Sequence, residues 1–101
     1  MKTFGENLRE LRETKGLLLR EVGNALALDT ALLSKFERNE RKPSKDQVLA
    51  FAKYYRANPE NLLVEWLSDK IADEFGSEEV ALKAVHVAER KIKDFQLKRS
   101  I

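Results

Sequence analysis

The chain has 101 residues, a formal charge of +2 and no cysteine, the size of one domain with an appended helix. Hydrophobic residues at 43% suffice for a core, while 36% charged residues and a mean hydropathy of −0.50 leave no run approaching the roughly 20 apolar residues of a membrane span. No membrane partner is expected. The missing cysteines exclude a disulfide framework, a thiolate nucleophile and a cysteine-ligated metal. A single histidine, His86, cannot supply a Ser-His-Asp set plus ligands, so neither an enzyme nor a metal or cofactor is expected. The opening Met1-Lys2-Thr3-Phe4-Gly5-Glu6 has no apolar stretch of secretory type, which gives a cytoplasmic expectation.

The charge is uneven. Residues 1–57 hold 12 Lys/Arg against 8 Asp/Glu, a net of +4, whereas 58–101 hold 7 against 9, a net of −2. The balance permits a localised basic face in the first half without requiring one.

Phe4, Leu8 and Leu11 stand four and three apart, one face of an amphipathic helix, and Gly16 stops it. Leu19, Val22 and Leu26 define a short second helix, in which Gly23 and Ala25 would allow close approach of another. Asp29 is a good N-cap for a third helix carrying Leu32, Leu33 and Phe36 and ending near Arg38. Asn39 to Lys42 is polar and runs into Pro43, so it reads as a loop.

Ser44-Lys45-Asp46-Gln47 is a capping box ahead of Val48, Leu49, Phe51, Ala52 and Tyr55. Asn58-Pro59 combines an N-cap with proline at the first helical position of a long fifth helix, through Leu62, Leu63, Trp66, Leu67, Ile71 and Phe75 to Gly76. Ser77 would cap a last helix in which Ala81, Val85, Ala88, Ile92 and Phe95 keep seam spacing for about two heptads. No period-two alternation occurs, so the expected fold is all-α.

Leu8-Arg9-Glu10-Leu11-Arg12, Val22-Gly23, Leu33-Ser34-Lys35-Phe36-Glu37-Arg38, Arg41-Lys42-Pro43-Ser44 and Asn61-Leu62-Leu63 stand in an order and spacing that resembles the phage-repressor type of helix-turn-helix protein, the Cro/xenobiotic-response-element family. The resemblance covers residues 3–64 and implies a five-helix DNA-binding domain, usually dimeric, with its third helix in the major groove. Residues 65–101 become a helical extension, a candidate dimerisation or partner-binding region.

By position, the resemblance puts Thr30, Ala31, Ser34 and Lys35 at base-reading sites. Arg20, Arg38, Asn39, Arg41 and Lys42 fall where phosphates would be met, and Arg12 and Glu37 where an ion pair links helices one and three. A phosphate-binding Gln often found near the start of helix two is replaced here by Leu19, preceded by Leu18. Either Arg20 takes over that contact or the leucines pack inward and the binding mode differs.

Trp66, Ile71, Phe75, Val85, Ile92 and Phe95 are the candidates for a homodimer interface. The resemblance implies a regulator of transcription, a repressor or autoregulator, with controllers of restriction-modification genes among proteins of this build. The alternative is an antitoxin or other protein-interaction module that engages a partner through its C-terminal helices.

Overall fold

The apolar face of the first segment folds as α1 (Phe4–Thr14) in a computed structural model that describes residues 1–100. It is followed by α2 (Leu19–Leu26), α3 (Thr30–Glu37), α4 (Lys45–Tyr55), α5 (Pro59–Phe75) and α6 (Ala81–Arg99). Among the described residues there is no strand, and the fold is all-α.

Three helix starts lie where their caps place them. Asp29 accepts from the Ala31 N–H at 2.7 Å, and the Asn58 side chain accepts from the Asn61 N–H at 3.0 Å. Ser44 and Gln47 bond reciprocally, at 3.2 Å for the Gln47 N–H and 2.8 Å for the Ser44 N–H. Each such cap stabilises its helix by about 1 kcal/mol.

The last start differs from its sequence expectation. The Glu78 N–H donates to the Phe75 carbonyl at 3.0 Å and the Ala81 N–H to Glu78 at 3.1 Å. Those turns carry the chain past Ser77, and α6 begins only at Ala81, with Val80 at the cap position and no side-chain bond there.

The chain divides into two units, the first spanning Met1–Asp69 and the second beginning at Lys70. In the first, Phe4, Leu8, Val22, Leu33, Phe36, Val48, Phe51 and Tyr55 form a buried core closed by Leu62. Phe36 meets Phe51 edge-on at 6.2 Å between ring centroids, and Phe51 stacks on Tyr55 at 6.2 Å, arrangements favoured by the ring quadrupoles. Both α1 and α2 pack on α3. Gly5 makes the first of these contacts possible, because a Cβ there would overlap the Phe36 carbonyl and lie 2.7 Å from that of Glu37.

The first unit extends past position 64, the boundary expected from sequence, because two side chains of α5 tie back into it. The Trp66 indole N–H donates to the Pro43 carbonyl at 2.8 Å, and Asp69 accepts from the Phe4 N–H at 2.7 Å. Trp66 is half-buried against the core. It packs on the core of its own protomer and keeps part of its surface exposed.

The second unit is built differently. No residue of α6 is buried, and Ile71, Phe75, Val85, Ile92 and Phe95 are all exposed. An open groove of about 640 Å³ runs between the end of α5 and α6, lined by Ile71, Phe75, Val80, Ala84, Val85 and Ile92. Among the described residues, no helix is long and apolar enough to cross a membrane.

Candidate nucleic-acid interface

The link from α2 to α3 is short. Ala27 ends α2 in the left-handed region, with φ 54° and ψ 44°, and the Leu28 N–H closes the turn on the Gly23 carbonyl at 2.9 Å. Gly23 leaves room for this, since a Cβ there would stand 2.7 Å from the Leu28 carbonyl oxygen. Asp29 then caps α3, and the new direction is fixed by local hydrogen bonds.

Leu33, Phe36 and Glu37 face inward from α3. Thr30, Ala31 and Lys35 are exposed, and Ser34 is half-buried. At 3.6 residues per turn Ala31 and Lys35 lie opposite the buried stripe, and Thr30 and Ser34 along its edge. The helix thus presents two methyl groups, two hydroxyls and one ammonium.

Its orientation is set by a bidentate pair. Arg12 Nε meets Glu37 Oε2 at 2.8 Å and Nη2 donates to Oε1 at 3.0 Å, while Nη1 donates to the Leu17 carbonyl at 2.9 Å. One guanidinium therefore ties α1, the segment before α2 and α3 together. The side chains are 13% and 8% exposed. The hydrogen bond to Glu37 raises the Arg12 pKa above its usual value, against the lowering effect of burial, so the cation persists at every pH the fold meets.

Beyond α3 the loop divides into two kinds of residue. Arg38 is exposed and pairs with Glu40 at 2.8 Å. Arg41 is exposed, with no ion pair or hydrogen bond among the described residues, as is Arg20 in α2; Lys42 is half-buried.

Asn39, the uncharged member of the expected phosphate set, is exposed and bonded within the protein. In the left-handed region at φ 61°, it accepts from the Gly5 N–H at 3.1 Å and donates through Nδ2 to the Thr3 hydroxyl at 2.6 Å. Its amide fastens the loop to the start of α1.

The two leucines also separate. Leu19 is half-buried and packs on the core, whereas Leu18 is 49% exposed. The Leu18 N–H donates to the Glu21 carboxylate at 2.9 Å, which closes the start of α2 without a side-chain cap. Sequence reasoning missed Asp69 and Gly5, whose partners lie 65 and 34 residues away or are backbone atoms. Among the described residues, no group of His, Asp and Glu is arranged to hold a metal ion.

A short capped helix, set across a tight turn from α2 and braced from behind by α1, defines a class. The chain belongs to the helix-turn-helix domain family, whose profile matches residues 3–66. One curated relative is the HTH-type transcriptional regulator DdrOP3 of Deinococcus deserti, 35% identical over 69 residues, a stretch that covers 66% of this chain and 54% of the relative. The chain thus spans about half the length of that protein.

Proposed function

We propose that the chain is a sequence-specific, DNA-binding regulator of transcription of the phage-repressor type, a homodimeric repressor or autoregulator on a pseudo-palindromic operator and so a protein of the cytoplasm. The observation that carries this reading is α3, whose outer face is open while its inner face is fixed by Leu33, Phe36 and the Arg12–Glu37 pair. The major groove of B-DNA, about 12 Å wide, admits such a helix. Two copies about 34 Å apart would meet half-sites one helical turn apart.

Lys35 donates to guanine O6 and N7, Thr30 and Ala31 offer methyl contact to thymine, and Ser34 supplies a non-selective hydroxyl. Such short side chains give modest direct readout, so DNA shape contributes part of the specificity. Arg20, Arg38, Arg41 and Lys42 meet phosphates, which adds affinity and salt dependence without reading sequence.

The test is titration of DNA from upstream of the chain's own gene, against scrambled DNA, over a salt series. Four phosphate contacts per protomer give a dimer a slope of log affinity on log salt of about −7. Lys35→Ala should cost about 1–3 kcal/mol per half-site on the specific DNA and almost nothing on the scrambled one. Equal binding of both DNAs by the unaltered chain, or no binding at low salt, would refute the reading.

The groove of the second unit favours a second reading, an interaction module or antitoxin whose C-terminal helices hold a protein partner. Neighbouring genes separate the settings. An adjacent methyltransferase and nuclease would favour restriction-modification control, and an adjacent small toxin gene the antitoxin.

A further inference from the structure

We propose that the second unit is a self-complementary surface on which a second copy of this chain docks with its α6 antiparallel, an inference that rests on the homodimer reading and adds the orientation. Ala81, Val85, Ala88 and Ile92 border the groove of about 640 Å³ together with Ile71 and Phe75. Phe95 continues that face one turn further and is 62% exposed. Two separate features of this surface select the direction of pairing.

The first is size. Along the face the side chains run Ala81, Ala84, Val85, Ala88, Ile92 and Phe95, small towards the first end and largest at the last. Parallel pairing would set Phe95 against Phe95 and Ala81 against Ala81, a wedge too wide at one end and empty at the other. Antiparallel pairing about Ala88 sets Phe95 against Ala81 and brings Ile92 beside Ala84 and Val85, so the bulkiest side chain meets the smallest.

The second is charge. Residues 70–79 carry Asp73, Glu74, Glu78 and Glu79 against Lys70, whereas 83–99 carry six Lys/Arg against Glu89 and Asp94. Glu89 pairs with Lys93 at 3.2 Å and Asp94 with Lys98 at 3.1 Å within α6. Arg90 and Lys91 have no ion pair among the described residues, nor do Glu74, Glu78 and Glu79. Antiparallel docking brings the acidic end of one copy to the basic end of the other and opposes the helix dipoles, while parallel docking stacks like on like.

The lack of native cysteine makes the test direct. Ala81→Cys and Gln96→Cys chains are prepared separately, mixed and equilibrated by thiol–disulfide exchange. Antiparallel pairing about Ala88 places each cysteine within one residue of the position opposite its counterpart on the other variant, while identical positions stand roughly 22 Å apart at 1.5 Å rise per residue, far beyond disulfide reach. The mixed disulfide should therefore predominate.

Sedimentation should show a dimer that Ile92→Glu converts to monomer with unchanged helix content. The pair Glu78→Lys and Glu79→Lys should weaken self-association about tenfold, restored on mixing with a chain bearing Lys98→Glu and Arg99→Glu. A dimer that gives only self-disulfides would overturn the antiparallel docking and leave the homodimer reading intact. A chain that stays monomeric at micromolar concentration, its groove occupied only by a different protein, would overturn both.

Discussion

Replacing Arg12 by alanine tests the brace behind α3. The change strands a Glu37 carboxylate that is 8% exposed, and breaking such a pair from one side costs about 3–5 kcal/mol. It also removes the donor to the Leu17 carbonyl, about 1 kcal/mol more. A domain the size of the first unit has roughly 3–10 kcal/mol of stability in total, so Arg12→Ala should leave it marginal or unfolded. Replacing both partners, Arg12→Met with Glu37→Leu, should return stability to within about 2 kcal/mol of the starting value, because the desolvation cost of the pair disappears with its attraction. Urea unfolding followed by Trp66 fluorescence reads the stability, and DNA titration at fixed salt reads the orientation of α3. The double variant should fold and still bind more weakly. A loss below about 1 kcal/mol in Arg12→Ala would refute the bracing role, and full DNA affinity in the double variant would refute the orienting one.

Gly5→Ala should cost about 2–3 kcal/mol despite the better helix propensity of alanine, because the new methyl meets the Phe36 and Glu37 carbonyls and backbone must move; unchanged urea stability would sink this account. Burial, with Glu37 nearby, pushes the Tyr55 phenol above its usual value. A raised folded pKa gives stability that is complete below the unfolded phenol value of about 10 and falls by about 1.4 kcal/mol per pH unit above it. Tyr55→Phe should flatten that alkaline loss, and identical slopes for both chains would contradict it. Glu40→Gln frees Arg38 from an exposed ion pair and removes a charge that repels phosphate, so DNA affinity should rise about two- to fivefold with stability unchanged. Weaker binding in a filter or anisotropy assay would show that Arg38 does not meet phosphate.

The parts of the fold legible in the sequence are those carried by neighbours along the chain. Asp29, Ser44 and Asn58 bond to backbone two or three residues away, so residue type and spacing alone locate three helix starts. The apolar rhythm of Phe4 and Leu8, or of Leu33 and Phe36, likewise marks the faces that become core. The same logic misplaces α6, because a serine after glycine is a cap only if the chain enters a helix at once, and here carbonyls of the preceding turn take the N–H groups first. The bonds of Trp66 and Asn39 were hidden for another reason. Apolar content at Trp66 and polarity at Asn39 are visible locally, but their partners, the Pro43 carbonyl and the start of α1, lie 23 and 34–36 residues away.

The apolar stripe of α6 shows the limit in another form. Its period is plain in the sequence, and the helix bearing Val85, Ile92 and Phe95 forms with that stripe exposed. Hydrophobic burial is non-directional and scales with area, so the period announces that something covers the face without naming what. The information that can choose an occupant lies in features periodicity ignores, the gradient from Ala81 to Phe95 and the separation of Glu78 and Glu79 from Arg90 and Lys91. The size difference and the charge separation both run from one end of the second unit to the other, so a reversed copy opposes unlike ends in both, and a parallel copy in neither.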